Sequence, residues 1–242
     1  METPEMYRSA RFEGFMKEQR ERSDRQWVGN VLTGTQETEC VKVRTDDFVI
    51  LPDVAGEWPR PRGQGVGPWS QGHSKGSVYS LRRAQCGHLN WLSIMTDQGL
   101  RTMRDLRGEH VPMLKELKVQ CLEAVRKHID VEMSEIMIFA NYPPSVYTLH
   151  FHICCPFKVA APFDAFRMHT LESIIQHLEV DPEYYCRHSL HIPVSNSSRL
   201  YHALTGTRPV SPKAIGAEGI SVLARYFQGW RNLKGAGDAN QG

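Results

Sequence analysis

One short segment constrains the fold of this chain more than any other. It follows a Pro-Pro pair, and its residues alternate strictly in character. Between residues 147 and 154, large apolar residues alternate with smaller or polar ones. A period of two is that of a β-strand, so the apolar side chains share one face and the polar ones the other. His150 and His152 then point the same way, about 6.5 to 7 Å apart along the strand. The segment predicts a half-buried strand that presents two imidazoles together.

Four interpretations of this histidine pair stay open on the residues alone. Two histidines can fall on a half-buried strand by accident. They could bind zinc, with Cys154 as a third ligand. One of them could act alone as a general acid or base. Finally, one imidazole could attack a phosphorus while the other holds an oxygen of the same phosphate group. No Cys-x-x-Cys or Glu-x-x-His motif accompanies the pair, so phosphate chemistry is favoured over a metal site.

Composition narrows the class of protein and of ligand. The chain has 242 residues, of which 40% are hydrophobic and 23% charged, an ordinary globular composition. A formal net charge of +2 gives no strong attraction to long nucleic acid, so a nucleotide ligand should be small and held in a shaped pocket. No apolar stretch or leader suggests a membrane partner or secretion. We expect a soluble protein of the cytoplasm or nucleus, with reduced cysteines.

Several other stretches predict strands. Residues 134–140 should pair antiparallel with the histidine strand across the Pro-Pro turn. Residues 41–52 alternate and end at Leu51-Pro52, which predicts a hairpin at a sheet edge. Residues 189–194 are a further strand candidate. Together these patterns favour an antiparallel sheet.

Helical patterns occupy the rest of the chain. Residues 89–102 form a mostly apolar run that favours a helix, and Pro112 begins a second one with an apolar stripe of period near 3.6. Asp164 is placed to cap a third helix, with Phe166 on its inner face, that ends at Asp181-Pro182. Residues 1–25 read as a solvated helical arm that has too few apolar residues for a core of its own. Sheet and helices together indicate an α+β fold.

Motifs in a fixed order resemble the scavenger mRNA-decapping enzyme family, a branch of the histidine-triad hydrolases, in its C-terminal catalytic part. They lie at residues 26–32, 48–53, 99–106 and 178–182, with Pro144-Ser145 and His150-Phe151-His152 between them. The resemblance implies a histidine-triad-like antiparallel sheet with packed helices and a homodimer. It also implies cleavage of the pyrophosphate linkage in N7-methylguanosine-capped RNA fragments or cap dinucleotide. The products would be N7-methylguanosine monophosphate and a nucleoside diphosphate end.

The resemblance assigns roles around the histidine strand. In the family, the middle histidine of a His-x-His-x-His run is the nucleophile, and the Pro-Ser anchor aligns this position with His150. A register with His152 in the middle is the alternative. His152, Ser145, Thr148 and Asn141 would then surround the phosphates. Attack by a neutral imidazole forms a nucleotidyl-histidine, and this chemistry calls for no metal ion or cofactor.

Three residues align with positions that bind the cap base in the family. Trp27 would stack on the cationic methylated base through a cation-π interaction, although a tryptophan can equally belong to a core. Glu37 would accept hydrogen bonds from the guanine edge, whereas without the resemblance it would read as solvated surface. Asp53 would be a further base contact, although a turn aspartate more often bonds to its own backbone.

The chain departs from the family pattern at four positions. Thr148 stands in place of the first triad histidine, and its hydroxyl can still donate one hydrogen bond. Asn141 replaces a histidine, Val146 a tyrosine and Ala55 a lysine. The family also has an N-terminal domain that closes over the cap, while Trp27 lies near the start of this sequence. We expect that the lid is absent or belongs to a longer protein.

These departures keep two other functions open. One is a catalytically weak or inactive cap-binding protein, and the other is a generic histidine-triad hydrolase of dinucleoside polyphosphates. The predicted organisation has four parts: an arm with the cap-binding segment (1–54), a Gly/Pro-rich insertion (55–88), a histidine-triad catalytic domain (89–205) and a C-terminal extension (206–242), whose apolar stripe predicts a helix.

Overall fold

A single antiparallel sheet carries both histidines of the alternating segment. The computed structural model describes residues 1–22, 25–35, 38–53, 89–129, 131–155 and 166–207. In these ranges the strands are β1 (Val43–Arg44), β2 (Phe48–Pro52), β3 (Asn90–Met95), β4 (Met137–Asn141), β5 (His150–Cys154) and β6 (Met168–Thr170). Their order is β1-β2-β3-β5-β4-β6. The histidine strand β5 therefore lies inside the sheet, between β3 and β4.

The chain divides into two units, Met1–Pro193 and Val194–Gly242. In the described part of the first unit, the α-helices are α1 (Pro4–Tyr7), α2 (Ala10–Glu21), α3 (Gln26–Thr33), α4 (Val111–His128), α5 (Leu171–Val180) and α6 (Tyr184–Arg187). Short 3₁₀ turns occur at Thr38–Cys40, Met103–Asp105, Gly108–His110 and Met133–Glu135. In the second unit, α7 (Arg199–Thr205) is capped by Ser198 and ends at Gly206, which adopts a left-handed conformation. The predicted α+β class is confirmed.

The hairpin that holds the site forms as the alternation predicts. β4 pairs antiparallel with β5, with Met137 opposite Cys154 and Phe139 opposite His152. β4 begins at Met137 because the preceding residues form a 3₁₀ turn. Phe151 and Ile153 are fully buried on the face opposite the histidines. Burial of each such side chain contributes about 1.5 to 3 kcal/mol, which fixes the face that β5 turns inward.

The other confirmed elements also follow their sequence signals. β1 pairs with β2 as a hairpin that ends at Pro52, with Val43 opposite Ile50. α4 begins at Val111 with Pro112 in its first turn, where a missing amide hydrogen costs nothing. Its apolar stripe of Leu114, Leu117, Cys121 and Val125 is buried.

The helix predicted over residues 89–102 is wrong. This stretch forms β3, which is hydrogen-bonded to β2 and β5 on its two sides. Trp91 and Met95 face the cluster beneath α4, whereas Leu92 and Ile94 face the cluster beneath α3. A strand that is buried on both faces shows no polar alternation, so its sequence cannot be told from that of a buried helix by period alone.

Two further predictions need correction. The helix that ends before Asp181 begins only at Leu171 and is capped by Thr170, whose side chain accepts a hydrogen bond from the amide of Ser173. Phe166, expected on the inner face of this helix, is exposed, and β6 lies between Phe166 and the helix along the chain. Asp164 lies outside the described residues. The strand expected at residues 189–194 is reduced to one bridge between Leu190 and Glu2.

The sheet has an apolar cluster on each face. The larger cluster joins the sheet to α4 and α5, with Leu117 and Ile174 among its fully buried members. The smaller cluster joins the opposite face to α3 through Val28 and Val31. The histidines lie on the face of the smaller cluster, because their cross-strand partners on β3 are Leu92 and Ile94. α3 is thereby held above the histidine strand.

The N-terminal arm packs on the rest of its unit. The rings of Phe12 and Phe15 in α2 make edge contacts with Tyr147, at centroid distances of 6.1 and 5.7 Å. Arg104, which is buried, donates from Nε to Glu2 at 3.1 Å and from Nη1 to the carbonyl of Tyr185 at 2.7 Å. The arm therefore supports the segment that leads into β5.

Several sequence predictions fall outside the described residues. They include most of the Gly/Pro-rich insertion, the apolar stripe of the C-terminal extension, and the side chains of Glu37 and Ala55. Within the described ranges, no helix combines the length and the apolar character needed to cross a membrane.

Candidate functional site

A cleft of about 350 Å³ lies between α3 and the histidine face of the sheet. Its floor is apolar and comes from the smaller cluster, through Val28, Leu92, Ile94 and Val146. The other lining residues are aromatic, polar or charged: Arg25, Trp27, Asp53, Ser145, Thr148, His150 and His152. Such a combination of apolar floor and convergent polar groups is typical of a small-molecule site.

The two histidines meet in this cleft because of their register on β5. His150 lies opposite Ile94 and His152 opposite Leu92, and both partners belong to the cleft floor. The imidazole centroids are 5.3 Å apart, with an interplanar angle of 69°. Two ring nitrogens can therefore approach one phosphate group from adjacent positions.

The tautomer of His150 is set by the backbone. Nδ1 lies 2.7 Å from the carbonyl oxygen of Thr148, which can only accept, so Nδ1 carries the hydrogen. The neutral ring then keeps its lone pair on Nε2. Burial lowers the pKa of His150 below its ordinary value, while the Thr148 carbonyl and Asp53 act in the opposite direction and Arg25 lowers it further. At neutral pH this imidazole is therefore uncharged.

His152 is held by the neighbouring strand. Its ring stacks on Phe139 at a centroid distance of 5.1 Å, and the Asn141 amide nitrogen lies 3.2 Å from Nε2. Burial, with smaller contributions from the His150 and Arg167 charges, lowers the pKa of His152 to about 3. His152 therefore brings hydrogen-bonding nitrogens to the cleft but no positive charge.

The segment between β4 and β5 shapes one wall of the cleft. Arg167 donates to the carbonyl of Pro143 at 2.7 Å and so ties this segment to the residues before β6. Ser145 is exposed at the cleft, whereas Val146 and Thr148 are buried with exposures of 7% and 6%. Ser145 thus offers an accessible hydroxyl beside the histidines.

Trp27 and Asp53 bring aromatic surface and negative charge to the same cleft. Trp27 is partly buried and packs against the smaller apolar cluster, so it is not a closed core residue. Asp53 follows β2, and its amide donates to the carbonyl of Asn90 at 2.8 Å, which holds it at the end of that strand. An aromatic ring beside a carboxylate suits a flat cationic base.

Most of the site residues predicted from sequence lie together. The lining residues among them are Trp27, Asp53, Ser145, Thr148, His150 and His152. Asn141 does not line the cleft, but its side chain contacts the lining residue His152. Glu37 lies outside the described residues. The roles of these residues in binding and catalysis stay predictions.

Arg25 is a lining residue that the sequence did not single out. It directly precedes α3, and its side chain does not cap that helix. In the sequence it is one of several arginines in the charged arm. Its position two residues before Trp27 was the only available signal.

The described ranges give little support to the zinc interpretation. No group of three or more histidine, cysteine or acidic side chains lies close enough there to hold a metal ion. Cys154, the third ligand considered from the sequence, is buried and does not line the cleft.

Comparison with known proteins gives one consistent result. Residues 80–168 match the protein family described as "Scavenger mRNA decapping enzyme C-term binding". The m7GpppX diphosphatase of Rattus norvegicus is 28% identical over 169 residues, which cover 68% of this chain and 43% of the relative. Its counterpart in Schizosaccharomyces pombe is 30% identical over 156 residues, covering 63% and 42%. The counterpart in Caenorhabditis elegans is 26% identical over 204 residues, covering 82% and 56%. The chain thus spans less than half the length of the rat and yeast relatives.

Proposed function

Because residues 80–168 belong to the scavenger mRNA decapping enzyme family, we propose that this chain cleaves N7-methylguanosine-capped dinucleotide or short capped RNA fragments. The products are N7-methylguanosine monophosphate and a nucleoside diphosphate end. The observation that carries the proposal is the His150 ring, whose Nδ1 is bound to the Thr148 carbonyl inside a cleft that also holds an aromatic ring.

In the proposed reaction, the Nε2 lone pair of His150 attacks the phosphorus nearest the methylguanosine. An N–P bond forms as the P–O bond to the next phosphate breaks, and the electron pair leaves with the nucleoside diphosphate. Water then attacks the same phosphorus and loses a proton to solvent. A new P–O bond forms as the N–P bond breaks, and the electron pair of the N–P bond returns to Nε2. Two easier displacements replace one difficult displacement.

The surroundings of His150 suit both stages of this reaction. The resting ring is kept neutral chiefly by burial, so its lone pair is available. Once phosphorylated, the ring becomes cationic. The Thr148 carbonyl and Asp53, which already favour the charged ring, then stabilise the intermediate.

The phosphate oxygens would be held by hydrogen bonds. Ser145 supplies its hydroxyl, and His152 supplies a ring nitrogen whose orientation is set by Asn141. Thr148 contributes its hydroxyl from the cleft wall. Such donors, aimed before the reaction begins, stabilise charge as it shifts during transfer.

The base would be recognised by stacking and by charge. Trp27 is only partly buried and lines the cleft, and Asp53 brings a carboxylate to the same lining. Methylation at N7 makes guanine cationic, so both contacts favour the methylated base. Glu37 completes the proposed set of base contacts. We further propose a symmetric homodimer in the cytoplasm or nucleus, as the resemblance implies.

A second candidate function is cap binding without efficient turnover. Thr148 favours it, because this residue brings a buried hydroxyl where the family has a third imidazole. Under this alternative the cleft would bind methylated nucleotide and release no product.

The test is incubation of the purified chain with capped dinucleotide and its unmethylated analogue, followed by chromatography. His150→Ala should abolish product while the folded state, checked by circular dichroism, and cap binding persist. His191→Ala is the matched control, since His191 is exposed and does not line the cleft. Binding without product from the unmutated chain would select the second candidate. Equal rates on both substrates would instead select a generic dinucleoside polyphosphate hydrolase, and normal turnover by His150→Ala would refute the mechanism.

A further inference from the structure

The histidines of the cleft supply no positive charge to balance the charges of a bound oligophosphate. A bridging oligophosphate carries a negative charge on each phosphate, and these charges must be compensated when water is displaced. His150 and His152 are both neutral, because burial lowers the pKa of each ring. Asp53 adds a carboxylate to the same lining. The histidine strand therefore brings hydrogen bonds to the phosphates but no positive charge.

Arg25 is the one cationic side chain among the described residues that line the cleft. It is partly buried, so its charge is screened less than that of a surface arginine. The pKa of His150 is lowered by the charge of Arg25, which places the guanidinium within electrostatic reach of that ring. A group that can influence the His150 ring can also influence a phosphate bound to it.

Arg167 is a second arginine that acts on the histidine pair, but its position differs from that of Arg25. Arg167 reaches His152 electrostatically, yet its guanidinium donates to the carbonyl of Pro143 and it does not line the cleft. Of the two arginines, Arg25 is the one that lines the cleft, so it is the one placed to meet a ligand.

We propose that Arg25 is a phosphate-binding residue of this cleft and fixes the oligophosphate of the capped nucleotide against His150. This inference rests on the proposed function. Arg25 lies two residues before Trp27, at the start of the same helix. Base stacking and phosphate binding are then joined on one rigid element, so a ligand that has both groups is aligned for attack. A guanidinium suits this task because its planar donors match phosphate oxygens.

The test compares ligands that share the methylated base and differ in the number of phosphates. Calorimetry measures binding of N7-methylguanosine, of its monophosphate and of a capped dinucleotide with non-hydrolysable methylene bridges. Arg25→Gln should weaken binding of the dinucleotide analogue by roughly 10- to 100-fold, the usual effect of losing a charged hydrogen bond. Binding of the phosphate-free nucleoside should not change. Arg25→Lys should recover part of the loss, since it keeps the charge and loses the fork of donors.

Arg11→Gln is the matched control. Arg11 is an exposed residue of α2 that does not line the cleft, and its substitution removes the same charge. It should leave the affinities for all three ligands unchanged. The affinity of the unmutated chain for the dinucleotide analogue should also fall with added salt more steeply than that of Arg25→Gln.

The outcomes separate this inference from the proposed function. Equal weakening of nucleoside and dinucleotide by Arg25→Gln would show that Arg25 supports the fold of the site, and it would overturn the inference. Unchanged binding of all three ligands would overturn it as well, while the proposed function would stand. If the unmutated chain binds none of the three ligands, the proposed function fails and this inference fails with it.

Discussion

Replacement of Trp27 by leucine should remove most of the preference for a methylated base. Trp27 packs on the apolar cluster around Val28 and Val31 and also lines the cleft. A leucine keeps apolar contact with that cluster but takes away the π face. The variant thus separates stacking from packing, which Trp27→Ala would not do.

The size of the effect follows from the partial burial of Trp27. A cation-π contact is worth about 0.5 to 1 kcal/mol when exposed and about 2 kcal/mol when desolvated. Trp27 is neither fully exposed nor closed off from the cleft, so about 1 to 1.4 kcal/mol is expected. Because 1.4 kcal/mol corresponds to a factor of ten, the unmutated chain should prefer N7-methylguanosine monophosphate over guanosine monophosphate by roughly 5- to 10-fold. Asp53 should preserve a small residual preference in the variant.

Calorimetric titration of both nucleotides measures this preference as a ratio of two dissociation constants. Any general damage to the cleft affects both nucleotides and cancels in that ratio. Trp27→Phe is the graded control, since a phenyl face attracts cations more weakly than indole, and its ratio should be intermediate. A ratio that stays the same in Trp27→Leu would refute stacking on Trp27, whatever the absolute affinities become.

Three further predictions concern pH, orientation and stability. Burial lowers the pKa of His150, so kcat/KM from initial rates should stay level as the pH falls to about 6.5, the ordinary pKa of histidine. It should decline only below that pH, and a decline centred above it would contradict a neutral resting nucleophile. Asn141→Ala removes the contact to His152 and should lower kcat by about 2- to 10-fold, with KM little changed, and an unaltered kcat would show that this contact does not orient His152. Arg104→Met leaves Glu2 without its buried partner and should lower the free energy of unfolding, measured by urea titration, by about 3 to 5 kcal/mol. A loss below about 1 kcal/mol would show that the pair does not stabilise the fold.

The sequence predicted those elements whose two faces differ. β5 was recognisable because Phe151 and Ile153 enter the core while His150 and His152 do not, and this contrast is written in the alternation. β3 has no such contrast. Its residues Leu92 and Trp91 enter different apolar clusters on opposite faces of the sheet, so only strand pairing reveals it.

The residues of the cleft also differ in how well the sequence could predict them. Trp27, Asp53 and the histidines could be proposed because motifs in a fixed order carried them. Arg25 could not, because a guanidinium at a cleft and one in solvent look alike within a charged arm. The contact between Asn141 and His152 depends on the register of the β4–β5 hairpin, which sets Phe139 rather than Asn141 opposite His152.

Thr148, which the family resemblance aligns with the first triad histidine, affects the two parts of the proposed mechanism differently. The nucleophile needs its hydrogen on Nδ1 and its lone pair on Nε2, and Thr148 secures this through its backbone carbonyl at 2.7 Å. A carbonyl is present whatever side chain the residue carries, so the exchange of histidine for threonine leaves the tautomer of His150 intact. What the exchange removes is an imidazole from the phosphate surroundings. It therefore bears on the proposed stabilisation of charge during transfer, for which Arg25 is the cation that lines the cleft, and not on the readiness of His150 to attack.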